Sequence, residues 1–218
     1  GWGNRELQSY TDEVANACLD GNGNLAITAR RLDPGQRPHY DDREYTSARL
    51  VTKGLARFTY GVFEARATLP AGSLWPAFWM LGEDIDDVGW PACGEIDVLE
   101  NFGHDPALVS GTVHGPGYSD GISSSHKASE SLAACPHVYS VTWRPAELSW
   151  YIDGHRYATV TPDDLGGKPW VFDHPFYLLL NLAVGGTFST PPTPATHFPQ
   201  VMVVDYVRVY PLSATDEI

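Results

Sequence analysis

The stretch Gly94-Glu95-Ile96-Asp97-Val98-Leu99-Glu100-Asn101 reads as a buried β-strand that carries three carboxylates. Side chains alternate faces along a strand, so Glu95 and Asp97 share one face. Glu100 stands an odd number of steps away. In a regular strand it would join Ile96 and Val98 in the core, where an unpaired charge is very costly. One β-bulge between Asp97 and Glu100 resets the alternation. All three carboxylates then face one way, with Ile96 and one of Val98 or Leu99 facing inward. Close carboxylates push each other's pKa values apart, and a protonated carboxyl beside an ionised one is the equipment of glycoside hydrolysis. A solvated edge strand would not need the interleaved apolar residues. The pattern supplies a nucleophile and an acid/base without saying which glutamate is which.

Strand signals continue outward in both directions. Leu25 to Arg30 follows the turn cluster Asp20-Gly21-Asn22-Gly23, and Gly61 to Leu69 alternates with Phe63, Ala65, Ala67 and Leu69 on one face. Leu148 to Ile152, Asp153-Gly154 and His155 to Val160 spell a β-hairpin with a type I′ turn. Val138 to Trp143, Phe176 to Val184 and Val201 to Tyr210 are further strands. Helical periodicity is absent apart from a single turn at Pro162 to Leu165. The fold class is therefore all-β, a sandwich or a barrel. Pro191 to Pro199 is a loop, and no repeat or linker divides residues 1–218, which read as one domain.

The net charge of −13 repels nucleic acid and anionic polysaccharides. No apolar run approaches the ~18 residues of a membrane span. The chain begins at Gly1 without a signal-peptide pattern, so processing precedes the numbering or the segment was never present. Seven Trp suit stacking on neutral sugar rings, and equally an ordinary sandwich core. Cys18, Cys93 and Cys135 allow one internal disulfide at most, and their spacing matches no zinc pattern. Cys93, two residues before Glu95, reads as a buried structural thiol or half of a disulfide rather than a nucleophile.

Trp75 and Trp79 share a strand face, about 13 Å apart at ~3.3 Å per residue. They form a stacking platform for sugar rings or pack in the core, while Phe78 and Met80 on the other face are core candidates. Arg66 lies on the polar face of its strand, where a surface salt bridge is the plain alternative to a substrate contact. His114 points with Thr112. Asp205 interrupts the apolar face of Val203, Val207 and Val209, and an inward Asp needs a partner, for which a hard cation is natural.

The E-x-D-x-x-E spacing resembles glycoside hydrolase family 16 in its laminarinase (endo-1,3-β-glucanase) branch; lichenase-type relatives carry E-x-D-x-E. Also similar to that branch, and in its order, are Gly1-Trp2-Gly3-Asn4-Arg5-Glu6-Leu7-Gln8, Phe63 to Pro70, Trp75 to Leu81 and Thr112-Val113-His114-Gly115. Trp150 to Gly154, Asn181 to Gly186 and Asp205 to Tyr210 complete the match, which spans essentially the whole chain. The resemblance implies a concanavalin A-like β-jelly roll with a concave cleft. It implies Glu95 as nucleophile, Glu100 as general acid/base, and Asp97 bonded to Glu95 to fix its orientation and charge.

The same resemblance implies that Arg66, His114, Asn4 and Asn181 contact substrate, and Glu6 less so; either Asn could instead cap a turn. Family members often hold a calcium on the convex side through the residue matching Asp205 and an acidic segment near the start. This chain opens at Gly1-Trp2-Gly3-Asn4, without the strand that supplies those ligands. The implied protein is a secreted, monomeric endo-glycosidase acting on β-1,3-glucan with retention, needing no cofactor or catalytic metal. The alternatives are an enzyme for mixed-linkage β-glucan or β-1,3-galactan, and a non-catalytic β-glucan-recognition protein.

Overall fold

The computed structural model describes residues 3–72 and 74–213. Gly1 and Trp2 of the opening motif lie outside them. Fifteen strands run in chain order among the described residues: β1 (Gln8–Tyr10), β2 (Ala17–Leu19), β3 (Leu25–Arg31), β4 (Tyr45–Ser47), β5 (Arg49–Val51), β6 (Gly61–Thr68), β7 (Leu74–Gly82), β8 (Glu95–Glu100), β9 (Leu108–Gly115), β10 (Tyr118–Lys127), β11 (His137–Arg144), β12 (Glu147–Ile152), β13 (His155–Val160), β14 (Phe176–Val184) and β15 (Gln200–Tyr210). One nine-stranded sheet has the order β1-β4-β3-β15-β6-β11-β12-β13, with β2 on β3. The other has six strands in the order β10-β9-β8-β7-β14-β5. The pairs are antiparallel except β1 with β4. This is the expected all-β jelly-roll sandwich.

Local chemistry explains the elements. In β6 the inward residues are Phe63, Ala65 and Ala67, each fully buried, so the alternation read from sequence is the core pattern of one sheet. The hairpin β12–β13 turns at Asp153 and Gly154, both with positive φ (49° and 78°), as a type I′ turn requires. Phe78, Met80, Ile96, Val98, Leu99, Leu180 and Leu182 of the smaller sheet meet Phe63, Val141, Trp143 and Trp150 of the larger one in a single core. Strands β7 and β14 are buried along their whole length, because their other face lies beneath a cleft. Three single turns complete the regular structure among the described residues: the anticipated Pro162–Leu165, and Arg37–Tyr40 and Ile85–Val88, which were not anticipated from the sequence.

Two bulges decide which side chains face where. Asp97 pairs with Thr112 and Glu100 with Ser110, so three steps on β8 oppose two on β9. The bulge inferred from the carboxylate spacing is therefore present. Both Val98 (1% exposed) and Leu99 (0%) enter the core, where one of them was anticipated. A second bulge lies in β15, between Val204 and Tyr206. Met202 and Val204 face inward before it, and Val207 and Val209 after it. Asp205 is the extra residue, so its side chain is 42% exposed and points out of the sandwich, correcting the inward placement drawn from regular alternation.

Candidate active site

The outer face of the smaller sheet floors a cleft of about 1010 Å³. Strand β8 supplies Glu95, Asp97 and Glu100 from consecutive positions of that face, β7 supplies Trp75 and Trp79, β9 supplies Thr112 and His114, and β14 supplies Asn181. Asn4 and Glu6 enter from the segment before β1; Glu6 is 2% exposed and its Oε2 accepts the Asn4 backbone N–H at 3.2 Å. Of the ten expected site residues, eight line this cleft.

The other two, Arg66 and Asp205, belong to the opposite sheet. Arg66 projects from the outward face of β6 and its Nη1 meets Asp205 Oδ2 at 2.5 Å, both half-exposed. In this structure Arg66 makes the surface salt bridge that was the plain alternative to a substrate contact, and the neighbour of Asp205 is a guanidinium rather than a cage of oxygens. Those residues do not fit a calcium ion.

The tryptophans are only 8% exposed each, and both indoles donate to residues of the site. Trp75 Nε1 donates to Glu100 Oε1 at 3.2 Å, and Trp79 Nε1 to Asn181 Oδ1 at 2.7 Å. Trp79 also packs with Ala77, Leu81, Cys93, Tyr177 and Leu179, so it is more floor than platform. Cys93 is fully buried, and burial, then the charges of Asp84 and Glu95, push its thiol up to about 11. It is an inert structural thiol, and all three cysteines are free.

Glu95 and Glu100 sit in different surroundings. Burial leaves the pKa of Glu95 raised, though the His114 charge, the Trp90 indole (Nε1 to Oε2 2.7 Å), a hydrogen bond with Asp97 and the Arg49 charge pull it back toward the anion. Burial and then the negative charge of Glu95 push Glu100 up to about 7, against the His114 charge and two neutral donors, Thr112 Oγ1 at 3.1 Å and Trp75 Nε1. Glu100 is thus the carboxyl that keeps a proton near neutrality. Asp97 is raised well above the carboxylate range by burial and by both glutamates. His114 Nε2 lies 3.2 Å from Asp97 Oδ2; burial disfavours its charge, but Asp97 and Glu95 outweigh this and hold it up to about 10. Both partners shift upward, so the pair retains a proton at neutral pH. Ligand atoms of Glu95, Asp97 and His114 lie within 4.8 Å of one another, and a metal ion there would have to displace that proton.

The opposite sheet braces the bulge that aims Glu100. Trp150 of β12 crosses the core and donates Nε1–H to Asp97 O at 2.8 Å. Gly111 of β9 makes room, since a Cβ there would lie 2.3 Å from the Trp150 ring. An orphaned buried carbonyl costs about 1–3 kcal/mol.

Sequence reasoning missed four contributors to the cleft. Arg49 pairs in register with Asn181 and its guanidinium lies 5.2 Å from the Trp79 ring centroid. Its three-residue strand is too short to show a period. Trp90, 49% exposed, is held over Glu95 by a loop that carries no strand pattern. Phe102 and Phe188 flank Trp75 with centroids 5.4 and 5.6 Å away, extending an aromatic wall at the Glu100 end of the strand. Isolated aromatics in loops give no signal until the fold brings them together.

Comparison with known proteins places these features in a lineage. Residues 7–207 match the profile described as glycosyl hydrolases family 16. The "Beta-glucanase" of Rhodothermus marinus is 41% identical over 222 residues, covering 96% of this chain and 76% of its own. The "Glucan endo-1,3-beta-glucosidase A1" of Niallia circulans is 40% identical over 228 residues, 96% of this chain but 33% of its own length. Among solved structures, the laminarinase catalytic domain of Thermotoga maritima MSB8 superposes with a TM-score of 0.90 at 46% identity, over 98% of this chain and 86% of that one.

Proposed function

The chain belongs to glycosyl hydrolases family 16, and from that premise we propose that it is an endo-1,3-β-glucanase cleaving internal bonds of laminarin-type glucans with retention of configuration. The observation that carries this reading is the pairing of Glu95, whose anion is favoured by four neighbours, with Glu100, held near 7, on one face of one cleft. Glu100 gives its proton to the glycosidic oxygen while Glu95 attacks the anomeric carbon. A glucosyl ester on Glu95 results. Glu100, now ionised, takes a proton from the water that opens the ester. Asp97 and His114 hold Glu95 in place and share a proton that takes no part in transfer. No cofactor is required. Secretion and action as a monomer accompany the proposal, because a polymer outside the cell is the substrate that an open cleft accepts.

The β-1,3 linkage is supported by the Niallia circulans and Thermotoga maritima relatives, described as endo-1,3-β-glucosidase and laminarinase. A glucan-recognition protein without activity would have no use for a carboxyl tuned to about 7. Digestion of laminarin, lichenan, barley glucan and a β-1,3-galactan, with product analysis, tests the substrate. Release of reducing sugar from laminarin in preference to the others is expected; binding without release would overturn the enzymatic reading. Retention is tested with azide. Glu95→Ala should yield a glycosyl azide of inverted anomeric configuration, and Glu100→Ala the retained anomer. Exchange of the two products would reverse the assigned roles.

A further inference from the structure

On the opposite sheet, away from the cleft, three side chains stand in series. Cys135, exposed just before β11, has its Sγ 3.5 Å from His137 Nε2. His137 Nδ1 lies 2.7 Å from Asp153 Oδ2 in the type I′ turn of β12–β13. Asp153 is itself fixed, because its Oδ1 accepts the Val138 N–H at 2.8 Å. An ionised carboxylate only accepts, so Nδ1 of His137 is the donor, and in the neutral ring the lone pair of Nε2 faces the thiol. A nucleophile, a base within hydrogen-bond reach and a third group orienting the base form the arrangement that activates a nucleophile.

A second observation points to the same place. Tyr139, 0% exposed, lies next to His137 with ring centroids 6.3 Å apart, and its hydroxyl has no hydrogen-bond partner among the described residues. Burial first, then the charges of Asp153 and Cys135, keep its proton on. It is a buried donor beside a group that becomes negative only when the thiol gives up its proton.

We propose that Cys135, with His137 as base and Asp153 as orienting carboxylate, is a thiol–disulfide exchange site that accepts a low-molecular-weight disulfide. His137 Nε2 takes the thiol proton and Cys135 Sγ attacks one sulfur of the disulfide RS–SR. A Cys135–SR bond forms as the S–S bond breaks. The leaving RS⁻ recovers the proton from His137 as RSH, so the incoming disulfide is the only oxidant consumed. A metal is the poorer match, since Asp153 is committed to Nδ1 and only Sγ and Nε2 remain as ligands.

The test is the rate at which oxidised glutathione forms an adduct on the folded full chain, mapped by peptide mass spectrometry. Half-buried Cys18 serves as internal reference, and a free peptide spanning residues 131–138 as the unactivated thiol. Cys135 should react on the order of tenfold faster than in the peptide, because only a few per cent of an ordinary thiol is ionised near neutrality. His137→Ala should remove the advantage and added imidazole should restore it, with Cys18 unaffected. Asp153→Asn keeps an oxygen for Val138 N–H and should slow Cys135 even if the histidine variant fails to fold. Peptide-like reactivity of Cys135 in the unsubstituted protein, or full reactivity in Asp153→Asn, would overturn the proposal. So would protection of the thiol by equimolar zinc, which would make this a metal site.

Discussion

Each carboxyl oxygen of Glu100 receives one neutral donor, Trp75 on one side and Thr112 on the other, in a site where the charge of Glu95 repels its anion. That balance makes stability and chemistry oppose each other at a single residue. A carboxyl at 4.5 in the unfolded chain and about 7 when folded binds its proton more tightly in the native state. Its contribution is present in full below pH 4.5 and is lost as the pH rises through about 7. Glu100→Gln should therefore be more stable than the parent protein at pH 8, by roughly 3 kcal/mol, and lose that advantage in acid. Its turnover should fall by roughly a hundred- to ten-thousand-fold. Melting temperature against pH and laminarin hydrolysis check both; a stability gain that persists at pH 4 would refute the linkage. Trp75→Phe removes a donor that lowers the Glu100 pKa, so the alkaline limb of the activity profile should move to higher pH. An unmoved limb would show that the indole does not tune the acid.

Strand β8 can serve the proposed mechanism because its bulge turns Glu100 to the cleft while sending Val98 and Leu99 together into the core. The Asp97 carbonyl beside that bulge is held by Trp150, whereas Trp143, an equally buried indole, donates instead to Phe172 O at 2.9 Å, in the segment before β14. Trp150→Phe and Trp143→Phe should each cost about 1–3 kcal/mol, the loss expected when a buried carbonyl goes unpaired. Only Trp150→Phe should also lower kcat with KM kept, since it loosens the geometry between Asp97 and Glu100. Equal kcat in the two variants would make Trp150 a core residue and nothing more.

Across the whole molecule the two sheets differ, with the cleft and the proposed glucanase site on the outer face of the smaller one and the Arg66–Asp205 pair on the outer face of the larger. Arg66→Ala should accordingly leave KM for laminarin unchanged and cost at most about 1 kcal/mol, as exposed ion pairs do; a raised KM would return Arg66 to the substrate. Much of this was legible in the chain itself. The alternation in residues 61–69, the Asp153-Gly154 turn and the clash of a core-facing Glu100 with its charge determined the strands, the hairpin and the bulge, because periodicity and desolvation act locally. The same local logic misplaced Asp205, because the cost of an inward carboxylate can be met by a cation as well as by a bulge, and only the register of β15 on β6 decides between them. Which glutamate keeps the proton, where Arg49 and Trp90 stand, and which indole holds the Asp97 carbonyl were decided only by the tertiary structure. Burial, charge–charge coupling and cross-core hydrogen bonds join residues far apart in sequence, and no window along the chain contains both partners.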